Sequence, residues 1–230
     1  MTTMNKTKTK TQTNVPAMLT VFCAVYIAMV KLRPLVMHNV SISVVSLCIA
    51  YCLLGAAGIY LFRSKYIEGL KQWKEHTLRS ILWFVGGYIA DVILVSLSLL
   101  PQMALYPDYD GMNDNNITAA AKYLPAFLMI LALGILGPVT EETFFRFILV
   151  DKLKAKVPAV LCVLISSVLF MVWHMHAFTP QELLANLPKF TSGVIYSIIL
   201  LKSKNPTIPV LLHISNNILG LLGLVLNGAA

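Results

Sequence analysis

The chain has 230 residues, 57% of them hydrophobic and 12% charged, with a mean hydropathy of +0.75 and a formal net charge of +8. Soluble domains carry about 25% charged residues, so this composition excludes an ordinary soluble enzyme and predicts an all-α, polytopic membrane helical bundle. The basic residues sit in short segments between apolar runs, where they act as orientation signals rather than as a nucleic-acid surface.

Residues 1–14, MTTMNKTKTKTQTN, are predicted to form a disordered basic tail, and residues 15–230 a single transmembrane domain. Apolar runs follow at about 15–30, 42–62, 81–100, 123–150, 159–178, 190–201 and 207–226. A crossing helix needs about 20 residues, which predicts about seven spans, within a range of six to eight. The first run is followed by KLRP and not by a small-residue cleavage site, so it reads as a retained span. The second loop holds Trp73 among Lys71, Lys74 and His76, which with Trp83 reads as an interfacial anchor. The acidic third loop, with Asp108, Asp110 and Asp114, departs from calcium-loop spacing and reads as solvated. The fourth run is interrupted by Gly137-Pro138, which predicts a kink and a helix restarting there. The sixth is short and borrows from ELLANLPK. Alternate loops hold thirteen Lys and Arg against four, which predicts a cytoplasmic N-terminus for a multi-pass protein of the cell membrane. The four cysteines lie in apolar runs without a Cys-x-x-Cys pair and read as packing residues.

A few ionisable groups fall inside the apolar runs: Asp91, Glu141, Glu142, Arg146, His174, His176 and His213, with Asn216 and Asn217 beside them. Each charge at membrane depth costs about 2.5–3.5 kcal/mol on insertion scales and marks a candidate site. In EETFFR, Glu142 and Arg146 are four apart and share a helical face, which leaves Glu141 turned elsewhere. Phe170 and His174 in FMVWHMH, and His213 and Asn217 in HISNN, repeat that spacing. Three helices therefore deliver polar groups to one interior pocket, which a count of helix rise places nearer the cytoplasmic face. His176, Asp91 and Asn216 read as secondary, structural groups.

Together, EETFFR, FMVWH and HISNN resemble the intramembrane CAAX-protease and bacteriocin-processing family (CPBP, or Abi), whose pattern is Glu-Glu-x-x-x-Arg, Phe-x-x-x-His and His-x-x-x-Asn/Asp. The resemblance covers about residues 120–226, the expected catalytic core. It implies an endopeptidase without a covalent intermediate. In it Glu141 and His174 would activate water, His213 and Asn217 would form the oxyanion hole, and Glu142 with Arg146 would support the first helix. Peptide hydrolysis needs such a base and such donors. The resemblance implies no cofactor; two Glu and two His could ligate zinc, the alternative, but His-Glu-x-x-His is absent. It implies a peptide or protein substrate, either a prenylated C-terminus or a bacteriocin-type peptide. The short chain suits a bacterial member, and no oligomeric state is implied. Competing readings are a non-catalytic bacteriocin-immunity or membrane interaction protein, and a proton-coupled transporter.

Overall fold

The computed structural model describes residues 15–32 and 39–226; the tail expected at 1–14 and Arg33 of the first loop lie outside them. The elements are α1 (Val15–Ile27, prolonged by the wider-wound Ala28–Leu32), α2 (Val40–Leu61), α3 (Arg63–Glu75), α4 (Thr77–Leu105), α5 (Met112–Ala121), α6 (Ala126–Ala155), α7 (Ala159–His174), α8 (Pro180–Ala185), α9 (Leu187–Ser203) and α10 (Thr207–Leu226). Among the described residues there is no strand. Among the described residues, five helical stretches are long and apolar enough to cross a bilayer: Ser41–Leu61, Thr77–Leu105, Ala126–Ala155, Pro180–Ser203 and Thr207–Leu224. Pro16–Leu32 and Ala159–His174 are shorter apolar helices. The chain is a polytopic helical bundle, and these seven segments coincide with the seven apolar runs.

The burial pattern is that of a protein in lipid. Val160, Leu161, Leu164, Ile165, Val168 and Leu169 of α7 are exposed, whereas Glu142, Arg146, Ser166 and Ser167 are wholly buried. Apolar side chains at the perimeter meet hydrocarbon at no cost, while polar groups must find partners inside. Close helix contacts use small residues, as van der Waals packing in lipid demands. A Cβ at Gly193 of α9 would stand 3.0 Å from the Cα of Ser167 on α7, and one at Gly87 of α4 would stand 2.6 Å from Cδ1 of Ile199 on α9.

Two segments read as loops are helical. The second loop folds as α3, whose Tyr66, Gly69 and Trp73 recur at helical spacing and turn inward. Trp73 is tied to α10 by a 3.0 Å hydrogen bond from its Nε1 to the Thr207 hydroxyl, and Trp83 packs against the inner cluster of Ile195, Tyr196 and Ile199. The indoles therefore lock helices together rather than serving only as an anchor. Part of the third loop forms α5.

The interruption at Gly137-Pro138 also differs from expectation, because the helix does not restart. Gly137 keeps helical dihedrals (φ −58°, ψ −60°), and its N–H reaches five residues back to the Ala132 carbonyl. A proline ring in a helix interior clashes with the carbonyl four residues before it. Widening the preceding turns to five-residue spacing relieves that clash, and π-bulges of this kind recur at functional sites. The same wider winding returns over Thr143–Lys152, on either side of the ordinary α turn Gly137–Glu142.

Candidate active site

That short α turn carries both glutamates, and four other helices close around it. Glu141 comes from α6, Tyr51 from α2, His174 from the last residue of α7, Tyr196 from α9, and His213 from the second turn of α10. Glu141, Glu142, Arg146, Tyr51 and His213 are all buried.

The Glu141 carboxylate divides its oxygens. Oε1 accepts from the Tyr51 hydroxyl at 3.3 Å. Oε2 faces Nε2 of His213 at 3.5 Å and Nε2 of His174 at 3.9 Å. Nδ1 of His174 lies 2.8 Å from the Phe170 carbonyl, one turn back. A carbonyl only accepts, so Nδ1 carries the hydrogen in neutral His174 and Nε2 presents its lone pair. Two acceptors 3.9 Å apart are too far for a direct bond and suit a bridge by one water, which donates a hydrogen to each.

Glu142 meets His213 as well as Arg146. Its Oε1 lies 3.0 Å from Nδ1 of His213, and its Oε2 lies 3.4 Å from Nε of Arg146. The carboxylate therefore links the arginine to the histidine and fixes the imidazole plane. Among the described residues the Arg146 guanidinium has no hydrogen-bonded partner, and it lies over Phe170 at 4.5 Å and Tyr196 at 5.4 Å. Those ring faces add cation–π attraction to the ion pair.

Asn217 shares its helical face with His213, but its Nδ2 donates to the Leu133 carbonyl at 3.1 Å. The cause lies in the wide winding of α6. With Gly137 bonded to Ala132, the Leu133 carbonyl would next meet the nitrogen of Pro138, which has no hydrogen. Asn217 supplies the missing donor. An amide nitrogen carries two hydrogens, so this bond engages one of them.

The secondary residues fall one step outward. Asp91 accepts from the Tyr196 hydroxyl at 3.2 Å and from Asn216, while the Tyr196 ring lies 5.6 Å from that of His213. His176 lies in the loop after α7, where its ring nitrogen meets Asn116 at 3.3 Å. The Leu153–Ala155 turn closes α6 ahead of α7. His174, the last residue of α7, lies at the end of that helix remote from the turn.

Three participants escaped the sequence reading. Tyr51 lies in an apolar run with nothing to mark it. Lys31 donates to the carbonyls of Trp173 and Met175, capping the end of α7 beside His174. Glu182 is fully buried and accepts from the Tyr109 hydroxyl at 2.7 Å and from the backbone N–H groups of Met112 and His176 at 3.2 Å each. That hydrogen bond pushes the Tyr109 phenol up to about 12. The stretch TPQE carried a signal, since Thr179 three residues before Glu182 is a capping-box spacing, and Thr179 does accept from the Glu182 N–H.

Among the described residues, no group of three or more His, Cys, Asp and Glu is arranged to hold a metal ion. The family model described as "Type II CAAX prenyl endopeptidase Rce1-like" matches residues 123–219, which contain Glu141, Glu142, Arg146, His174, His213 and Asn217. Over that stretch the chain is similar to the Rce1-like family. A Bacillus subtilis (strain 168) protein with the name "Putative membrane peptidase YdiL" is 30% identical over 139 residues, covering 60% of this chain and 54% of that one. The chain thus spans about half the length of that relative. An Escherichia coli protein called "Uncharacterized 24.3 kDa protein" is 33% identical over 167 residues, covering 71% of this chain and 73% of its own. No solved structure matches.

Proposed function

We propose that this Rce1-like chain is an intramembrane endopeptidase that hydrolyses a peptide bond by glutamate-activated water, without a metal. Glu141 and His174 hold the water through its two hydrogens, which leaves the oxygen lone pair directed at a substrate carbonyl. As that oxygen attacks, Glu141 takes one proton and passes it to the departing amine, and no bond to the enzyme forms. The developing oxyanion is stabilised by the second amide hydrogen of Asn217 and by Nε2–H of His213 in its doubly protonated form, whose Nδ1–H serves Glu142. Glu142 and Arg146 hold His213 in place. The reading is supported above all by the approach of Glu141 Oε2 to both imidazoles, at 3.5 and 3.9 Å.

The substrate is a membrane-associated peptide or protein. CAAX-type C-terminal processing, and maturation of or immunity to a bacteriocin-type peptide, are its proposed settings. The proposal extends to a bacterial cell membrane with the N-terminus in the cytoplasm, where the loop charges favour it.

The test uses purified protein in detergent with two internally quenched peptides, one ending in a farnesylated CAAX sequence and one unprenylated, each with and without EDTA. Cleavage of at least one, unaffected by EDTA and lost in Glu141→Gln, is the expected result. Cleavage lost to EDTA and restored by zinc overturns the metal-free chemistry. Cleavage of neither peptide overturns the endopeptidase reading in favour of a non-catalytic immunity protein.

A further inference from the structure

The residues that match the family begin at 123, yet one contact to the proposed base comes from a helix well before them. Tyr51 of α2 is buried, and its hydroxyl donates to Glu141 Oε1 at 3.3 Å. The ring is held on α6 as well. It passes across Gly137, one turn before Glu141, where a Cβ would already lie 3.8 Å from Tyr51 Cδ1. Further along the same face of α2, a Cβ at Gly55 would stand 3.0 Å from the Leu136 carbonyl oxygen, and one at Gly58 would stand 2.7 Å from Thr143 Oγ1. Positions 51, 55 and 58 recur at helical spacing. Two glycines thus bring α2 against the Leu136–Thr143 stretch, and Tyr51 reaches the carboxylate from there. On its other side the ring belongs to the cluster of Phe22, Tyr26, Leu54, Phe145 and Phe170.

We infer that Tyr51 is a positioning residue for the hydrolysis: its phenol holds Glu141 Oε1 so that Oε2 alone is turned to the two imidazoles. A carboxylate on a freely rotating terminal torsion samples a broad range of orientations. Only those with an oxygen between His174 and His213 can receive a proton from the bridging water. The phenol selects that orientation before substrate arrives, and preorganisation of this kind acts on turnover rather than on substrate binding. The N-terminal helices are therefore part of the catalytic apparatus and more than a membrane anchor for it.

This inference rests on the proposed role of Glu141, and its test separates the two. Tyr51→Phe keeps the ring and removes only the hydroxyl; Tyr51→Leu removes both; Tyr60→Phe, at an exposed position of the same helix, is the control. Tyr51→Phe is expected to lower kcat at least about tenfold with KM unchanged. Independently of turnover, the infrared carboxyl band that disappears in Glu141→Gln is expected to move in Tyr51→Phe and to stay in Tyr60→Phe. Wild-type kcat in Tyr51→Phe with a loss only in Tyr51→Leu means packing and overturns the inference, as does an unmoved carboxyl band. If Glu141→Gln is inactive while Tyr51→Phe is unimpaired, the inference fails alone. If Glu141→Gln retains activity, or the wild type cleaves neither peptide, the function and the inference fail together.

Discussion

The buried pair of Glu142 and Arg146 gives a sharp expectation for stability. Both side chains are wholly inaccessible and their charged atoms are 3.4 Å apart. At an effective dielectric of about 20, unit charges at that separation attract by about 5 kcal/mol. Removing one partner of a buried pair typically costs about 3–5 kcal/mol, because the other charge is left without compensation. Glu142→Gln strands the guanidinium among Phe170, Tyr196 and Phe145, which offer only their ring faces. Arg146→Met strands Glu142, whose remaining partner is His213. Each single substitution is therefore expected to remove several kcal/mol from a folded state whose whole margin is about 5–15 kcal/mol. The double substitution buries no charge at these positions and is expected to recover most of the loss. Equilibrium unfolding of the four proteins in mixed micelles measures the cycle. Single variants as stable as the wild type, or a double variant that loses the sum of both, would refute the reasoning.

Three further expectations follow from the packing. Asn217→Ala should orphan the Leu133 carbonyl and cost about 1–3 kcal/mol; adding Pro138→Ala restores a backbone N–H and should return part of it, as read by thermal unfolding. Glu182→Gln should loosen the contacts to Tyr109, Met112 and His176, lowering the unfolding temperature and raising amide exchange on both sides of α8. Gly193→Ala places a methyl 3.0 Å from the backbone of Ser167, and should destabilise by about 1–3 kcal/mol through separation of α7 and α9.

The contrast between Glu141 and Tyr51 shows what a sequence of this kind discloses. Charged residues in an apolar run advertise themselves, and their spacing gave the faces that Glu142, Arg146, His174 and His213 occupy. Tyrosine is unremarkable in such a run, so a phenol that reaches a carboxylate 90 residues away leaves no local mark. Asn217 lies between these cases. Its spacing from His213 was legible, but its bond to Leu133 depends on the winding of α6, which Gly137-Pro138 announces only as an interruption. The seven apolar runs were plain because span length is a matter of composition. Helix α3 was obscured because Arg63, Lys65, Lys71 and Lys74 dominate its composition, while the inward face of Tyr66, Gly69 and Trp73 is narrow. Glu182 could be placed as a capping position, yet the targets of its carboxylate belong to loops brought together only by the fold.

The most direct measurement is kcat for Glu141→Gln beside that of the wild type, on whichever of the two peptides is cleaved, with the unfolding temperature of both recorded. The exchange alters one functional group in a buried site, and positioned bases contribute about 10²- to 10⁴-fold. A fall of at least that size in a variant that still folds is the predicted result. Turnover within a few-fold of the wild type contradicts the assignment of water activation to this carboxylate.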